Sequence, residues 1–172
     1  MTDSPSYPAS TTIGLLSDSH GRAEITRRAV EALIEAGADL LIHLGDIGAD
    51  KVLDALAGHP SRVVFGNCDY PWEPLGRYAE RLGIAVDHPE GAIRVGEEHI
   101  HYAHGDRTGS FHRAIEGGAG WFLHGHSHET RDEVVRGVRV VNPGALFRAS
   151  RYTVCMLEAA RNSVGFLQIE PD

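Results

Sequence analysis

The chain has 172 residues, of which 42% are hydrophobic and 23% charged, the composition of an ordinary globular protein with a single domain. Its 16 basic residues stand against 24 acidic ones, a formal net charge of −8. That balance excludes a nucleic-acid-coating protein, which needs a basic face to neutralise phosphates. The two cysteines, Cys68 and Cys155, are too few for a disulfide scaffold.

Residues 1–12 are rich in Ser, Thr and Pro, without a basic start or an apolar run. They read as a flexible N-terminal tail rather than a secretion signal, and no later stretch approaches the ~20 apolar residues of a membrane span. The expected compartment is the cytoplasm. Residues 13–17 then form a short apolar strand ending in Asp18-Ser19-His20-Gly21. Ile25, Ala29, Ala32, Leu33 and Ala36 recur at helical spacing, and Gly37 stands where that helix stops. Residues 40–44 make a second strand, ending at Gly45-Asp46, and a short helix is expected over 50–57. A third strand, 62–65, ends at Gly66-Asn67-Cys68-Asp69. Three strands thus deliver polar clusters at their C-terminal ends, the edge of a parallel sheet where ligands bind.

The second half turns antiparallel. Residues 92–95 and 99–102 flank Gly96-Glu97 as a hairpin, a short helix covers 110–116, and residues 121–124 form a strand running into Gly125-His126-Ser127-His128. Two more hairpins are expected, 134–135 with 138–141 and 152–158 with 164–169.

The 11 histidines matter through their positions. Asp18 and His20, at i and i+2, point to one side if the segment is extended, so a carboxylate and an imidazole can share a cation. Asp46 and Asn67 each follow a glycine at a strand end. His104-Gly105 ends another strand, and His126-Ser127-His128 repeats the i, i+2 spacing with two imidazoles. Singly, each has a plain structural role available: a helix N-cap for Asp46, a turn residue with positive φ for Asn67, a satisfied strand-end group for each histidine.

In order the pattern is Asp-x-His, Gly-Asp, Gly-Asn-x-Asp, His-Gly and Gly-His-x-His, and it resembles the calcineurin-like metallophosphoesterase superfamily across residues 15–143. The Gly66-Asn67-Cys68-Asp69 form and Asn142-Pro143-Gly144 are similar to its small bacterial and archaeal phosphodiesterase branch. The resemblance implies an α/β (α+β) fold, a four-layer αββα sandwich with two mixed β-sheets packed face to face and helices outside, in one metallophosphoesterase domain over residues 13–172. It implies two divalent metal ions (Mn, Fe, Zn or Ni, with Mn favoured). Asp18, His20 and His128 would hold the first, Asn67, His104 and His126 the second, and Asp46 would bridge them, with Asp46, Asn67 and His104 as the catalytic residues. Two such ions ~3.5–4 Å apart clamp a phosphate and depress the pKa of a shared water, whose hydroxide attacks phosphorus. The implied partner is a small phosphate ester, a diester before a monoester; a homo-oligomer is compatible with the pattern. The same fold also serves as a non-catalytic retromer-coat scaffold, whose metal site is impaired.

Three positions depart from the family pattern. Cys68 stands where many members carry a proton-donating histidine; it reads as a small apolar filler, and a thiol of pKa about 8.5 is a poor substitute for imidazole. No arginine follows Asp46, since residues 47–51 are Ile-Gly-Ala-Asp-Lys, which argues against a protein phosphatase. Asp106 occupies a place where relatives have a second histidine. Asp69 is expected to orient a ligand, Tyr70 and Trp72 to pack the loop or wall the substrate, and Arg107 and His112 to reach a phosphate. His43, His99, His101 and His124 read as structural or solvent-facing.

Overall fold

A computed structural model of the chain describes residues 4–171. The elements, in chain order, are β1 (Ser6–Tyr7), β2 (Ile13–Leu16), α1 (Ala23–Glu35), β3 (Leu40–His43), α2 (Asp50–Asp54), β4 (Ser61–Val63), α3 (Glu73–Arg81), β5 (Ala85–Val86), β6 (Glu90–Val95), β7 (Glu98–Ala103), α4 (Ser110–Glu116), β8 (Trp121–Leu123), β9 (Thr130–Val135), β10 (Val138–Pro143), β11 (Thr153–Glu158) and β12 (Ser163–Gln168). They make two six-stranded mixed sheets, β1-β6-β7-β8-β10-β9 and β12-β11-β2-β3-β4-β5.

Alternation along the strands decides the layers. Ile13, Leu15 and Ile42 pack with Ile93, Ile100, Trp121 and Val141 between the sheets, because successive side chains leave opposite faces. Leu16 and Leu41 point the other way, into a second core with Ile25, Ala29 and Leu33 of α1 and Val52 and Leu53 of α2. On the far sheet Phe122, Val138 and Val140 meet Ala114 of α4. The result is the expected four-layer αββα sandwich. Both faces of β2 and β3 are buried, which is why these strands are continuously apolar rather than alternating.

β2, β3 and β4 run parallel, and so do β7 and β8. Their C-terminal ends share one edge, and that edge carries the site.

The expected tail is corrected in part. Residues 1–3 lie outside the described residues, but Ser6 and Tyr7 pair with Arg94 and Val95 as an added parallel strand. The Tyr7 hydroxyl accepts from Arg62 (3.1 Å), and Arg62 grips Asp87 through two hydrogen bonds of 2.8 Å. A partner strand 88 residues away in sequence leaves no periodic trace, so composition alone read as a loose end. The sequence reading also passed over α3, whose window holds few apolar residues and a central Gly76. Among the described residues no helix is long and apolar enough to cross a membrane.

Candidate metal centre

The loops after the strands are laced together by backbone hydrogen bonds. The N–H groups of Asp18, His20 and Gly21 donate to the carbonyls of Gly45, Asp46 and Ile47 at 3.0, 2.9 and 2.8 Å, and Gly125 donates to His104 at 2.9 Å. Two glycines permit a closer approach than any side chain would. A Cβ on Gly66 would strike the Asp46 carboxylate, and one on Gly125 would strike the Ser17 hydroxyl.

Within these loops Asp18, His20, Asp46, His126 and His128 all adopt left-handed backbone, with φ between 43° and 69°. Each such residue costs of the order of 1–3 kcal/mol and persists only where its surroundings over-determine it. This corrects the expectation that Asp18-Ser19-His20 is extended: lacing to the 45–47 loop, not the strand pleat, sets where both side chains point. Asn67, read as a possible positive-φ turn residue, instead opens a 3₁₀ turn over Asn67–Asp69, and the N-cap of α2 is Ala49 rather than Asp46.

The two aspartates are held alike. Asp18 accepts the His126 N–H on Oδ2 (3.0 Å), leaving Oδ1 3.3 Å from His128 Nε2 and 3.9 Å from His20 Nε2. Asp46 accepts the Cys68 N–H on Oδ1 (2.9 Å), leaving Oδ2 3.4 Å from His20 Nε2 and 3.3 Å from His104 Nε2. Asp46 Oδ2 therefore lies between the two histidines. His104 donates Nδ1–H to the Leu44 carbonyl (2.8 Å), which fixes the tautomer and points the Nε2 lone pair into the site.

Burial alone raises the Asp46 carboxyl, but His104, the Cys68 N–H and His20 outweigh it and hold the group well below the usual carboxylate range. Burial likewise pushes His104 down, and the Asp46 and Asp18 carboxylates reverse that, so its pKa is raised.

Among the described residues, three groups have ligand atoms within 4.8 Å of one another: Asp18, His20 and His128; Asp46, His104 and His126; and His20, Asp46 and Cys68. Asp18 Oδ1 and His104 Nε2 are buried without a hydrogen-bond partner. An orphaned carboxylate oxygen and an orphaned imidazole nitrogen, both aimed at the same space, fit divalent cations, and the O/N donor mixture suits borderline metals. The third group brings in the Cys68 thiol, a donor the sequence reading kept out of the ligand set. Asn67 stands at the rim, exposed, its amide directed to Cys68 Sγ at 3.6 Å.

The remaining sequence candidates sort by place. Cys68 is exposed, so it is not an apolar filler: its N–H binds Asp46 and its thiol borders the His20 and Asp46 donors. Asp69 is buried and accepts the N–H groups of Ile47, Gly48 and Gly66 at 3.0, 2.8 and 2.9 Å, joining the loops that carry Asp46 and Asn67. Tyr70 is 81% exposed, whereas Trp72 stacks on Phe65. His112 pairs with Glu116 on the exposed face of α4. Arg107 lines a cavity beside His104.

Sequence reasoning missed three supports. The Ser19 hydroxyl meets His43 Nε2 at 2.8 Å, both residues being fully buried. Asn142 donates to the Gly125 carbonyl and the Ser127 hydroxyl, each at 3.0 Å, and so braces the loop of His126 and His128. Phe147 packs on the His20 ring (centroids 4.9 Å apart) with Arg22 and Arg148 over its faces. The signals were slight: a serine between two expected ligands, and an Asn-Pro-Gly read only as part of the family resemblance.

The calcineurin-like phosphoesterase superfamily domain matches residues 12–162. The "Probable metallophosphoesterase YsnB" of Bacillus subtilis is 32% identical over 157 residues, covering 88% of each chain. "Phosphodiesterase MJ0936" of Methanocaldococcus jannaschii is 25% identical over 138 residues, 77% of this chain and 82% of its own. Among solved structures, one described as a novel archaeal phosphodiesterase superposes with a TM-score of 0.83 at 22% identity, over 92% of this chain and 100% of its own.

Proposed function

The chain belongs to the calcineurin-like phosphoesterase superfamily, and from that premise we propose that it is a dinuclear metal-dependent phosphodiesterase. The observation that carries the reading is the position of Asp46 Oδ2 between His20 and His104, at 3.4 and 3.3 Å, one carboxylate serving two donor groups. Asp18, His20 and His128 hold one divalent ion and Asn67, His104 and His126 the other. When bound, the ions supply Lewis acidity and a water of depressed pKa.

The chain's own residues do the rest. Asp18 and Asp46 each spend one oxygen on a backbone N–H, which fixes the other toward the ions. His104, held by Leu44 through Nδ1, offers only Nε2. The Arg22 and Arg148 guanidiniums around Phe147 lie beside His20 and suit a substrate phosphate, the role an arginine after Asp46 plays in protein phosphatases. No imidazole follows Asn67, so proton delivery to the departing oxygen is weak. That favours diesters with good leaving groups, whose departure needs little acid assistance.

The test is hydrolysis of bis(p-nitrophenyl) phosphate against p-nitrophenyl phosphate after loading with Mn, Fe, Zn or Ni in turn, with Asp46→Asn as control. The diester is expected to be the better substrate and Asp46→Asn to lose activity by about 100-fold or more. Faster monoester turnover would make the protein a monoesterase; no turnover with any metal would leave a binding scaffold.

A further inference from the structure

A cavity of about 220 Å³ opens beside the metal ligands, lined by Gly105, Arg107, Phe111, His124 and Arg131 among others. Its walls are the segment from Gly105 to the start of α4, the end of β8 with His124, and Arg131 and Val140 of β9 and β10, so it adjoins the loops that deliver His104 and His126. Gly105 follows the first directly, and His124 stands two residues before the second. The two loops touch here, since a Cβ on Gly105 would lie 3.3 Å from the His124 side chain.

Its volume is below the ~300–1,000 Å³ of pockets that enclose a whole drug-sized ligand. It suits one ring or one charged group of a larger molecule whose phosphate sits at the metals. Phe111 and His124 supply flat surface, both in contact with Phe122 at ring centroid distances of 5.5 and 5.8 Å. His124 donates Nδ1–H to the Gly125 carbonyl at 2.9 Å and turns Nε2 toward Arg131 Nη1 at 3.5 Å. This fixes the ring and steers the guanidinium over the cavity.

Charge selects the occupant. In a chain of net charge −8 two guanidiniums face this one cavity. Arg131 also pairs with Glu133 at 2.5 Å, whereas Arg107 makes no ion pair among the described residues, so the surplus among the lining residues is a single guanidinium rather than two. A single anionic group matches it.

We propose that this cavity is a specificity subsite for the second ester substituent of the substrate, a planar ring bearing one negative charge, with Arg107 and Arg131 as its anion-recognising residues. The assignment rests on the phosphodiesterase reading above. It makes the physiological substrate a diester with an anionic aromatic or heteroaromatic arm.

Two probes share p-nitrophenolate as leaving group and differ in the retained arm: phenyl p-nitrophenyl phosphate and 4-carboxyphenyl p-nitrophenyl phosphate. The wild-type enzyme is expected to favour the carboxylated probe about tenfold or more in kcat/KM, as hydrogen bonds to charge do. The double variant Arg107→Gln, Arg131→Gln should bring that ratio near 1, while His112→Gln, on the outer face of α4, keeps it. A wild-type ratio near 1, or a ratio that survives in the double variant, overturns the subsite. Benzoate titrated into isotope-labelled, metal-free protein gives an independent reading. It should shift the amide resonances of Gly105, Gly109 and His124, benzamide should not, and the double variant should lose the response. If neither diester is hydrolysed with any metal, the phosphodiesterase reading fails, and the benzoate shifts alone then decide the cavity: present and arginine-dependent they support it, absent they overturn it.

Discussion

Ser19 and His43 share a 2.8 Å hydrogen bond in a fully buried setting between the loop after β2 and the end of β3. His43 Nδ1 accepts the Gly45 N–H at 3.2 Å, so Nε2 carries the proton and donates to the Ser19 hydroxyl. Burial holds the imidazole neutral, pushed down to about 3, with His104 adding to the effect. A neutral imidazole donating to serine is a strut, not a general base poised to activate a nucleophile. Its position ties Asp18-Ser19-His20 to Gly45-Asp46, the two loops that Asp46 Oδ2 must span.

Replacing His43 by Leu is therefore expected to weaken metal binding about 10- to 100-fold, as loss of a support behind metal ligands does. His43→Gln, which retains a donor, should recover part of the affinity. Calorimetric titration of the metal-free variants reads this directly. Equal affinity in wild type and His43→Leu would show that the strut has no bearing on the site.

Asp69 performs the corresponding service on the other side, accepting three backbone N–H groups from the 47–48 and 66 positions. Burial raises its carboxyl, opposed by those three donors. Asp69→Asn keeps the shape but replaces one acceptor oxygen with an NH₂ facing donors. A destabilisation of about 1–3 kcal/mol follows, together with weaker metal binding because Asp46 and Asn67 lose their common anchor. Thermal unfolding with and without added Mn separates the two effects: the metal-dependent rise in Tm should shrink in the variant. A rise equal to that of the wild type would confine Asp69 to folding.

Acid should destabilise the protein through a cluster that joins β6, β7 and α4. Arg113 holds the Glu90 carboxyl down to about 2, against burial and with help from Ser110 and His101. Its folded pKa is thus below the unfolded value of about 4.5, so its stabilisation is complete above about pH 4.5 and is lost as pH falls toward 2. Burial lowers His101 despite its 2.9 Å contact with Glu90, which also costs stability as pH falls below the ordinary histidine range. The Arg113 side chain is 50% exposed, so solvent screening limits the Glu90 contribution to about 1 kcal/mol. Urea midpoints at pH 7, 4.5 and 2.5 should show Glu90→Gln less stable than wild type at pH 7 and nearly equal to it at pH 2.5. A constant gap across the series would remove Glu90 as the source.

The legible part of the site was chemical identity at strand ends. Apolar runs such as residues 40–44 announce buried strands, and a polar cluster after each is conspicuous because a buried parallel strand has no other reason to end in Asp or His. Backbone shape was not legible: Asp18 and His128 are non-glycine residues in left-handed conformation, held there by hydrogen bonds between segments distant in sequence. The Ser19–His43 bond joins residues 24 apart whose side chains each have an ordinary structural reading. α3 escaped because only Gly76 and Ala79 of its nine residues are fully buried, too few to stamp a helical period on the sequence. Trp72 and Phe65, which hold it to the sheet, looked like loop and strand residues.

Cys68 is the position where activity can be moved by one side chain. Its backbone N–H is committed to Asp46, and its thiol lies in a group with His20 and Asp46 donors within 4.8 Å, so a longer side chain here enters the space beside the metals. An imidazole in that space can protonate a departing alkoxide, whereas p-nitrophenolate leaves readily without help. Cys68→His should accordingly raise kcat for alkyl phosphodiesters about 10- to 100-fold and leave bis(p-nitrophenyl) phosphate within about threefold, the contrast expected when general acid catalysis is added to a step limited by leaving-group departure. Steady-state rates across a leaving-group series would show the change as a shallower dependence on leaving-group pKa. An identical slope in variant and wild type would mean that the residue after Asn67 has no part in proton delivery, and that the exposed thiol serves the metal ligands instead.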